Sequence, residues 1–120
     1  MEKNIFGTPL ISCCNDPITG YFRDGFCRTI SEDTGTHTVC ARVTQEFLDF
    51  SAAKGNDLIT PIIQWKFPGL KPGDIWCLCI SRWLQAEKAG KAPPIFLEAT
   101  HEKTLDYASL ELLEQYAVKF

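Results

Sequence analysis

The amino-acid sequence predicts one compact α+β domain over residues 1–120, with a small mixed or mostly antiparallel sheet, about three helices and a turn-rich N-terminal third. Three observations predict this class. A chain of 120 residues buries enough surface for one hydrophobic core but not for two. Segments with the alternating pattern of strands occur beside segments with helical spacing, in an order too loose for a regular parallel sheet. Gly and Pro residues cluster in short punctuating segments.

The most clearly patterned region lies between residues 37 and 55. From His37 to Val43 the side chains alternate with period two, as in a half-buried strand. A helix is predicted to follow directly. Thr44 is a suitable N-cap for it, and Gly55 can supply the left-handed residue that ends it.

Residues 75–80 fit two structures. Their β-favouring side chains follow a Pro-Gly pair, which favours a strand that leads into a helix capped by Ser81 and ended by Gly90. The apolar side chains also repeat at helical spacing, so one continuous helix from Ile75 is the alternative. We expect the strand.

The remaining segments are assigned from their turn residues and periodicity. Residues 9–30 are predicted to form short irregular strands, and residues 56–74 a long loop rich in Pro and Gly. Residues 95–97 are predicted to form a buried strand, with residues 104–108 as its partner. Ser109 is predicted to cap a final helix.

Charge and hydropathy narrow the classes of partner. The net charge is −3 and Lys and Arg form no cluster, so the sequence lacks the basic surface of a protein that binds nucleic acid or an anionic membrane. A small molecule or another protein is the expected partner. The N-terminus has no secretory signal pattern, and the longest apolar run is far below the roughly 18 residues that span a bilayer. We therefore expect a soluble, cytoplasmic protein.

Several segments follow one another in the pattern of a known family. They are 16–27 (DPITGYFRDGFC), 35–41 (GTHTVCA), 55–58 (GNDL), 67–74 (FPGLKPGD), 76–79 (WCLC) with Arg82-Trp83, and 99–101 (ATH). Together they resemble the family domain of unknown function 2237, from Asn4 to about Ala117. The resemblance implies no agreed activity, cofactor or catalytic residue. Cys14 departs from the family pattern, which makes it the least promising functional sulfur.

The strongest chemical signal in the chain is its six cysteines. In a reducing cytosol they indicate metal ligation, catalysis or burial before disulfides. If residues 75–80 form a strand, Cys77 and Cys79 lie on one face with Cα atoms about 6.7 Å apart. Together with Cys40 and His37 they then define a Cys/His-lined binding site for zinc or another soft metal.

The spacing of these ligands matches none of the usual zinc motifs. His37 and Cys40 are three residues apart, which places them on opposite faces of a regular strand. Both can be ligands only if a turn falls between them. The metal site is therefore one hypothesis among several.

Two other interpretations of the cysteines do not involve a ligand. Small thiols are among the most buried side chains, so they can simply fill a core. Alternatively, Cys13 and Cys27 can form a disulfide or redox pair across the turn around Gly20.

A thiol enzyme is the catalytic alternative. A cysteine with a lowered pKa would be activated by His37 or His101, and Arg23, Arg42 or Arg82 would hold an anionic intermediate. A third hypothesis is a non-catalytic interaction protein that uses the Pro/Gly-rich loop. The sequence does not decide whether the protein is an enzyme.

Two further candidates have simpler structural interpretations, which we favour. Asp57, next to Gly55 and Asn56, has oxygens that can bind a cation, but the end of a helix followed by an Asx-turn explains the segment more simply. His101 can be a general base or a ligand, but a cap threonine, Thr100, followed by an exposed histidine is at least as common.

Overall fold

A two-stranded antiparallel sheet lies at the centre of the computed structural model, which describes residues 2–14, 18–33, 36–65 and 67–119. Its strands are β1 (His37–Arg42) and β2 (Ile75–Cys79), and Cys40 lies opposite Cys77. The strand prediction for residues 75–80 is therefore confirmed. Together with the three α-helices of the described residues, this sheet makes the protein a compact α+β fold, as predicted.

The two faces of the sheet contact different cores. One face packs into the main apolar core, to which the strands contribute Val39, Ala41, Trp76 and Leu78. The opposite face contacts a second cluster, which consists of Cys13, Cys27, Cys40, Cys77, Phe96 and Ala99. We call this second cluster the sulfur core. A strand that is buried on both faces explains why Cys40 and Cys77 are almost completely inaccessible to water.

Helix α1 (Gln45–Ala53) begins and ends where the sequence predicts. The Thr44 hydroxyl accepts a hydrogen bond from the Phe47 backbone N–H at 3.1 Å, which satisfies a donor that has no partner within the helix. Gly55 follows the helix with φ of 92°. Phe47 and Leu48 are buried and attach α1 to the main core.

Helix α2 (Ile80–Lys88) follows β2 without a loop, so Cys79 is both the last strand residue and the N-cap. The helix begins one residue before the predicted cap at Ser81, and Gly90 lies just beyond its end. The Trp83 indole N–H donates to the Pro93 carbonyl oxygen at 3.1 Å, which fixes α2 against the C-terminal segment. None of the helices in the described ranges is long and apolar enough to cross a membrane.

Helix α3 (Leu110–Glu114) is capped as predicted, because the Ser109 hydroxyl accepts from the Leu112 N–H at 3.2 Å. The predicted strands at residues 95–97 and 104–108 are wrong. Short 3-10 helices occupy Leu97–Ala99 and Glu102–Asp106 instead.

A local hydrogen bond explains why no strand forms at residues 95–97. Ile95 makes only isolated bridges, to Ala41 and Ala117. The Thr100 hydroxyl donates to the Phe96 carbonyl at 2.9 Å, and such side chain-to-backbone bonds compete with a strand ladder.

Within the described ranges the N-terminal third has irregular backbone, and residues 2–14 and 18–33 contain no regular helix or strand. The prediction of short irregular strands over residues 9–30 is therefore wrong for 9–14 and 18–30, and its middle part, 15–17, lies outside the described residues. Turns replace them: Gly20 has φ of 99°, and an added Cβ there would overlap the carbonyl oxygen of Phe26. The described part of the predicted loop, residues 56–65 and 67–74, contains only a short 3-10 helix at Ile63–Trp65 as a regular element.

Two disulfides, Cys13–Cys40 and Cys27–Cys77, join this irregular third to the sheet. Their Cα atoms are 5.7 and 5.4 Å apart. Because Cys27 lies between Cys13 and Cys40 in the sequence, the two closed loops interleave. Each strand therefore carries one covalent link to a different part of the N-terminal segment.

The disulfides are large contributions to stability on the scale of a small domain. From the sequence separations of 27 and 50 residues, loop-closure entropy gives about 3.5 and about 4 kcal/mol for the two bridges taken singly. The interleaved loops share residues, so these two values do not add.

Removal of one bridge should therefore destabilise the protein. We expect the double variant Cys27→Ala/Cys77→Ala to lose about 2–5 kcal/mol of unfolding free energy, measured by urea denaturation. The control is Cys14→Ala, which removes a thiol outside both disulfides and should change the unfolding free energy by less than about 1 kcal/mol. Equal stability of the double variant and the control would contradict a structural role for this disulfide.

Candidate functional site

A cleft beside the end of β2 brings together most of the polar residues that the sequence singles out. It consists of two adjoining cavities of about 140 and 190 Å³. Residues that line both cavities are His37, Asn56, Leu58, Trp76 and Cys77. The first cavity also contacts Cys79 and Arg82, and the second contacts Arg23 and Asp57. We call this region the Cys79 cleft.

Cross-strand pairing makes His37 and Cys79 neighbours. The Ile80 backbone N–H donates to the Thr36 carbonyl at 3.2 Å, and a bond between these flanking residues is the pattern of a narrow antiparallel pair. In such narrow pairs the Cα atoms lie about 4.5 Å apart and the side chains are close. The imidazole and the thiol therefore project from adjacent positions on one face.

A β-bulge between His37 and Val39 decides which face His37 occupies. Without it, residues 37 and 40 would lie on opposite faces of β1. The extra residue puts His37 opposite Cys79 and Cys40 opposite Cys77, and these partners share one face of β2. The metal-site hypothesis needed a turn between His37 and Cys40 to place both on one face, and a β-bulge has that effect in the structure.

Asp33 holds the imidazole of His37 in place. The Asp33 Oδ1 lies 2.7 Å from His37 Nδ1, and its Oδ2 accepts from the His37 backbone N–H at 2.9 Å. The Thr29 hydroxyl donates to the same Oδ2 at 3.1 Å. The Asp33 side chain is 1% exposed and the His37 side chain 39% exposed, so a buried carboxylate orients a solvent-facing ring.

These contacts keep Asp33 ionised. Burial by itself would raise the pKa of Asp33, but the hydrogen bonds from the His37 backbone and ring, the imidazole charge and the Thr29 hydroxyl outweigh it and lower the pKa below its ordinary value. A carboxylate that accepts from Nδ1–H leaves Nε2 as the nitrogen that can take a proton. Asp33 is absent from the residues that the sequence predicts for the site, because no motif or periodicity distinguishes it.

Cys79 lies where a helix begins. It is the N-cap of α2, and its Sγ is 3.0 Å from the Ser81 hydroxyl oxygen. The backbone N–H groups of Ser81 and Arg82 belong to the first turn, which has no intrahelical acceptors, and the helix dipole there favours negative charge.

Two guanidinium groups border the cleft. Arg82 donates through Nη1 to the Lys54 carbonyl at 3.1 Å and to the Gln85 amide oxygen at 3.3 Å. Arg23 lies over the Trp76 ring, with its Cζ 5.1 Å from the ring centroid, and donates to the Gly20 carbonyl at 2.8 Å. Both cations are therefore positioned by several contacts.

Asp57 has the structural role that we favoured, whereas the expectation of a cap at Thr100 followed by an exposed His101 is wrong, because His101 is buried and is itself the N-cap of the 3-10 helix at Glu102–Asp106. The Asp57 Oδ1 accepts from the backbone N–H groups of Ile59 and Thr60, as in an Asx-turn, and the Thr60 hydroxyl is the first of the hydrogen bonds that lower the pKa of Asp57. His101 is buried outside the cleft. Its Nδ1 accepts from the Lys103 N–H at 3.0 Å, and its Nε2 lies 3.2 Å from a Glu2 carboxylate oxygen.

The cysteines divide into two groups. Cys40 is bonded to Cys13 and Cys77 to Cys27, so two members of the predicted metal set have their sulfurs in disulfides. The suggested Cys13–Cys27 pair is wrong. Each of these residues instead meets one of the two cysteines that the strand register places side by side on the same face.

Cys14 and Cys79 are thiols, and of the two only Cys79 lines the cleft. Of the four residues of the predicted metal set, His37 and Cys79 are the two that line the cleft and have no sulfur in a disulfide. The structure thus leaves one thiol, one imidazole and two guanidinium groups around one opening.

Comparison with known protein families shows which family the chain belongs to. The family described as "Uncharacterized protein conserved in bacteria (DUF2237)" matches residues 3–117. The chain belongs to this family. The match confirms the resemblance that the sequence segments indicate over nearly the same residues. No curated protein matches the chain. Membership of DUF2237 supplies no reaction, so we infer the function from the residues of the Cys79 cleft.

The Asp33 contacts predict a specific dependence of stability on pH. The pKa of Asp33 is lowered in the folded protein, so its contribution is complete above the unfolded-state pKa of about 3.9 and is lost as the pH falls through the folded-state value. Asp33→Asn should therefore be less stable than wild type at pH 7, and the difference should shrink on acidification to about pH 2.5.

Urea denaturation at both pH values measures this difference. The control is Asp49→Asn, which alters an exposed carboxylate and should cost less than about 0.5 kcal/mol at either pH. A gap between wild type and Asp33→Asn that stays constant over the range would contradict the inferred ionisation of Asp33.

Proposed function

We propose that this protein is a thiol-dependent enzyme in which Cys79 is the nucleophile, His37 the general base and Asp33 the group that orients His37. One observation carries the proposal: the 2.7 Å Asp33–His37 contact lies directly across the sheet from a thiol at the opening of a cleft. A nucleophile, a base and an oriented carboxylate in this order are the recurring arrangement for covalent catalysis.

The reaction that fits is acyl transfer through a thioester. His37 Nε2 takes the proton from the Cys79 thiol, and the sulfur attacks the carbonyl carbon of the substrate. The oxygen that becomes negative is close to the first-turn N–H groups of Ser81 and Arg82, which can donate to it. The imidazolium then returns its proton to the leaving group. Water, deprotonated by His37, hydrolyses the thioester and regenerates the thiol.

The cleft favours a small substrate with an anionic group. Cavities of about 140 and 190 Å³ hold only a few heavy atoms each. Arg23 and Arg82 are at the border of this space, and a fixed guanidinium binds a carboxylate or phosphate through paired hydrogen bonds. The Trp76 ring supplies the apolar wall between the two ends.

Alkylation rates test whether Cys79 is an activated thiol. With both disulfides intact, iodoacetamide at pH 7 should modify Cys79 at least about tenfold faster than Cys14, because the neighbouring imidazole can take the thiol proton when the sulfur attacks. His37→Asn should remove most of this advantage, and Asp33→Asn should reduce it. Mass spectrometry of the two cysteine-containing peptides gives both rates from one sample.

Cys14→Ser is the matched control, and it should leave the rate at Cys79 unchanged. Circular dichroism of each variant shows that it is folded. Equal rates at Cys14 and Cys79, or a rate at Cys79 that His37→Asn does not alter, would refute the proposed activation.

A further inference from the structure

The sulfur core brings four cysteines together, and none of them is one of the proposed catalytic residues, although Cys77 also lines the Cys79 cleft. The Sγ atoms of Cys13, Cys27 and Cys77 all lie within 4.8 Å of one another, and Cys40 is bonded to Cys13. All four side chains are at most 4% exposed. Three sulfurs from separate chain segments therefore lie close together in one buried place, and the fourth, that of Cys40, is bonded to one of them.

From this convergence we propose that reduction of both disulfides converts the sulfur core into a Cys₄ site that binds one Zn²⁺. Tetrahedral zinc with Zn–S bonds of about 2.3 Å requires sulfurs about 3.8 Å apart. The three sulfurs within 4.8 Å are already close to that separation. The two bonded pairs must separate by about 1.8 Å, which rotation about the side-chain bonds provides.

The conversion balances with a dithiol as reductant. Each protein disulfide takes two electrons and two protons from one dithiol, which becomes a disulfide itself, so two equivalents produce four protein thiols. Zn²⁺ then replaces the thiol protons, up to four of which pass to solvent. The reverse exchange with two equivalents of a small-molecule disulfide, each of which takes two electrons and becomes a dithiol or two thiols, forms both protein disulfides again and releases the metal.

Contacts that involve no sulfur keep the four thiols together after reduction. The Thr19 hydroxyl accepts from the Cys77 N–H at 2.8 Å and is completely buried, which fixes the N-terminal segment to β2. The Ile11 N–H donates to the Glu98 carbonyl at 3.2 Å, which attaches the same segment to the C-terminal half. On the sheet, the ladder holds Cys40 opposite Cys77 in either redox state.

This ligand set differs from the one that sequence spacing indicated. It keeps Cys40 and Cys77 but takes Cys13 and Cys27 in place of Cys79 and His37, which lie in the Cys79 cleft. The ligands are buried among Phe96 and Ala99, as in structural zinc sites that exclude water. The site is thus separate from the proposed catalytic residues.

Cobalt spectroscopy of the full chain tests the proposal. Co²⁺ is added under anaerobic conditions to protein reduced with a phosphine and then desalted. We expect the intense visible absorption of tetrahedral cobalt thiolate at one equivalent, and its replacement by an equal amount of Zn²⁺. The oxidised protein should bind neither metal, and zinc should raise the melting temperature of the reduced protein.

Two variants identify the ligands. Both are compared with reduced wild type, which contains no disulfide, so any difference in the spectrum comes from the loss of a thiol and not from the loss of a disulfide. Cys14→Ser/Cys79→Ser should keep the full cobalt spectrum, whereas Cys27→Ser should lose most of it. Circular dichroism shows whether each reduced variant is folded. Reduced, folded wild type without the cobalt absorption would overturn the proposal, and so would a spectrum that disappears with Cys79 rather than with Cys27.

Discussion

The attachment of an irregular N-terminal segment to one face of a two-stranded sheet is the constraint on which the rest of the structure depends. The described residues between 2 and 33 contain no regular element. Their backbone hydrogen bonds therefore do not come from a strand ladder or a helix, and the segment depends on contacts with the rest of the protein. The Cys13–Cys40 and Cys27–Cys77 disulfides fix this segment to both strands. Because their loops interleave, each bridge restricts the region that the other closes, and the face of the sheet opposite the main core becomes buried.

The proposed catalytic residues depend on that attachment. Arg23 and Asp33 both come from the N-terminal third, and they meet His37 and Trp76 only because the segment is held along the sheet. Cys79 comes from the other side of the site, at the junction of β2 and α2. A buried carboxylate, an exposed imidazole and a thiol thus converge from parts of the chain that local structure alone would not bring together.

The sequence predicts the elements whose signals are local. The cap at Thr44, the alternation from His37 and the β-favouring residues of β2 each act within a few residues, and the structure confirms all three. The strands expected at residues 95–97 and 104–108 are wrong because local hydrogen bonds, such as that of Thr100, replace the ladder. The bulge in β1, which places His37 beside Cys79, follows from register and has no sequence signal that we used.

The disulfides were the least predictable feature, because pairing depends on which long-range segments meet. The expectation of a cytoplasmic protein also favoured thiols over disulfides, and two disulfides count against a reducing environment. The cytoplasmic location itself stays a prediction. Of the candidate residues, His37, Cys79, Arg23 and Arg82 lie together in the cleft. Asp33 is recognised as part of the site only from its hydrogen bonds to His37 in the structure.

The disulfide pattern of the native protein tests this account most directly. Thiols are alkylated in denaturant without reduction, and tryptic peptides are sequenced by fragmentation, since trypsin leaves Cys13 with Cys14 and Cys77 with Cys79. The account predicts links from Cys13 to Cys40 and from Cys27 to Cys77, with the alkyl label on the remaining two. A link between Cys13 and Cys27, or any link that includes Cys79, would contradict it.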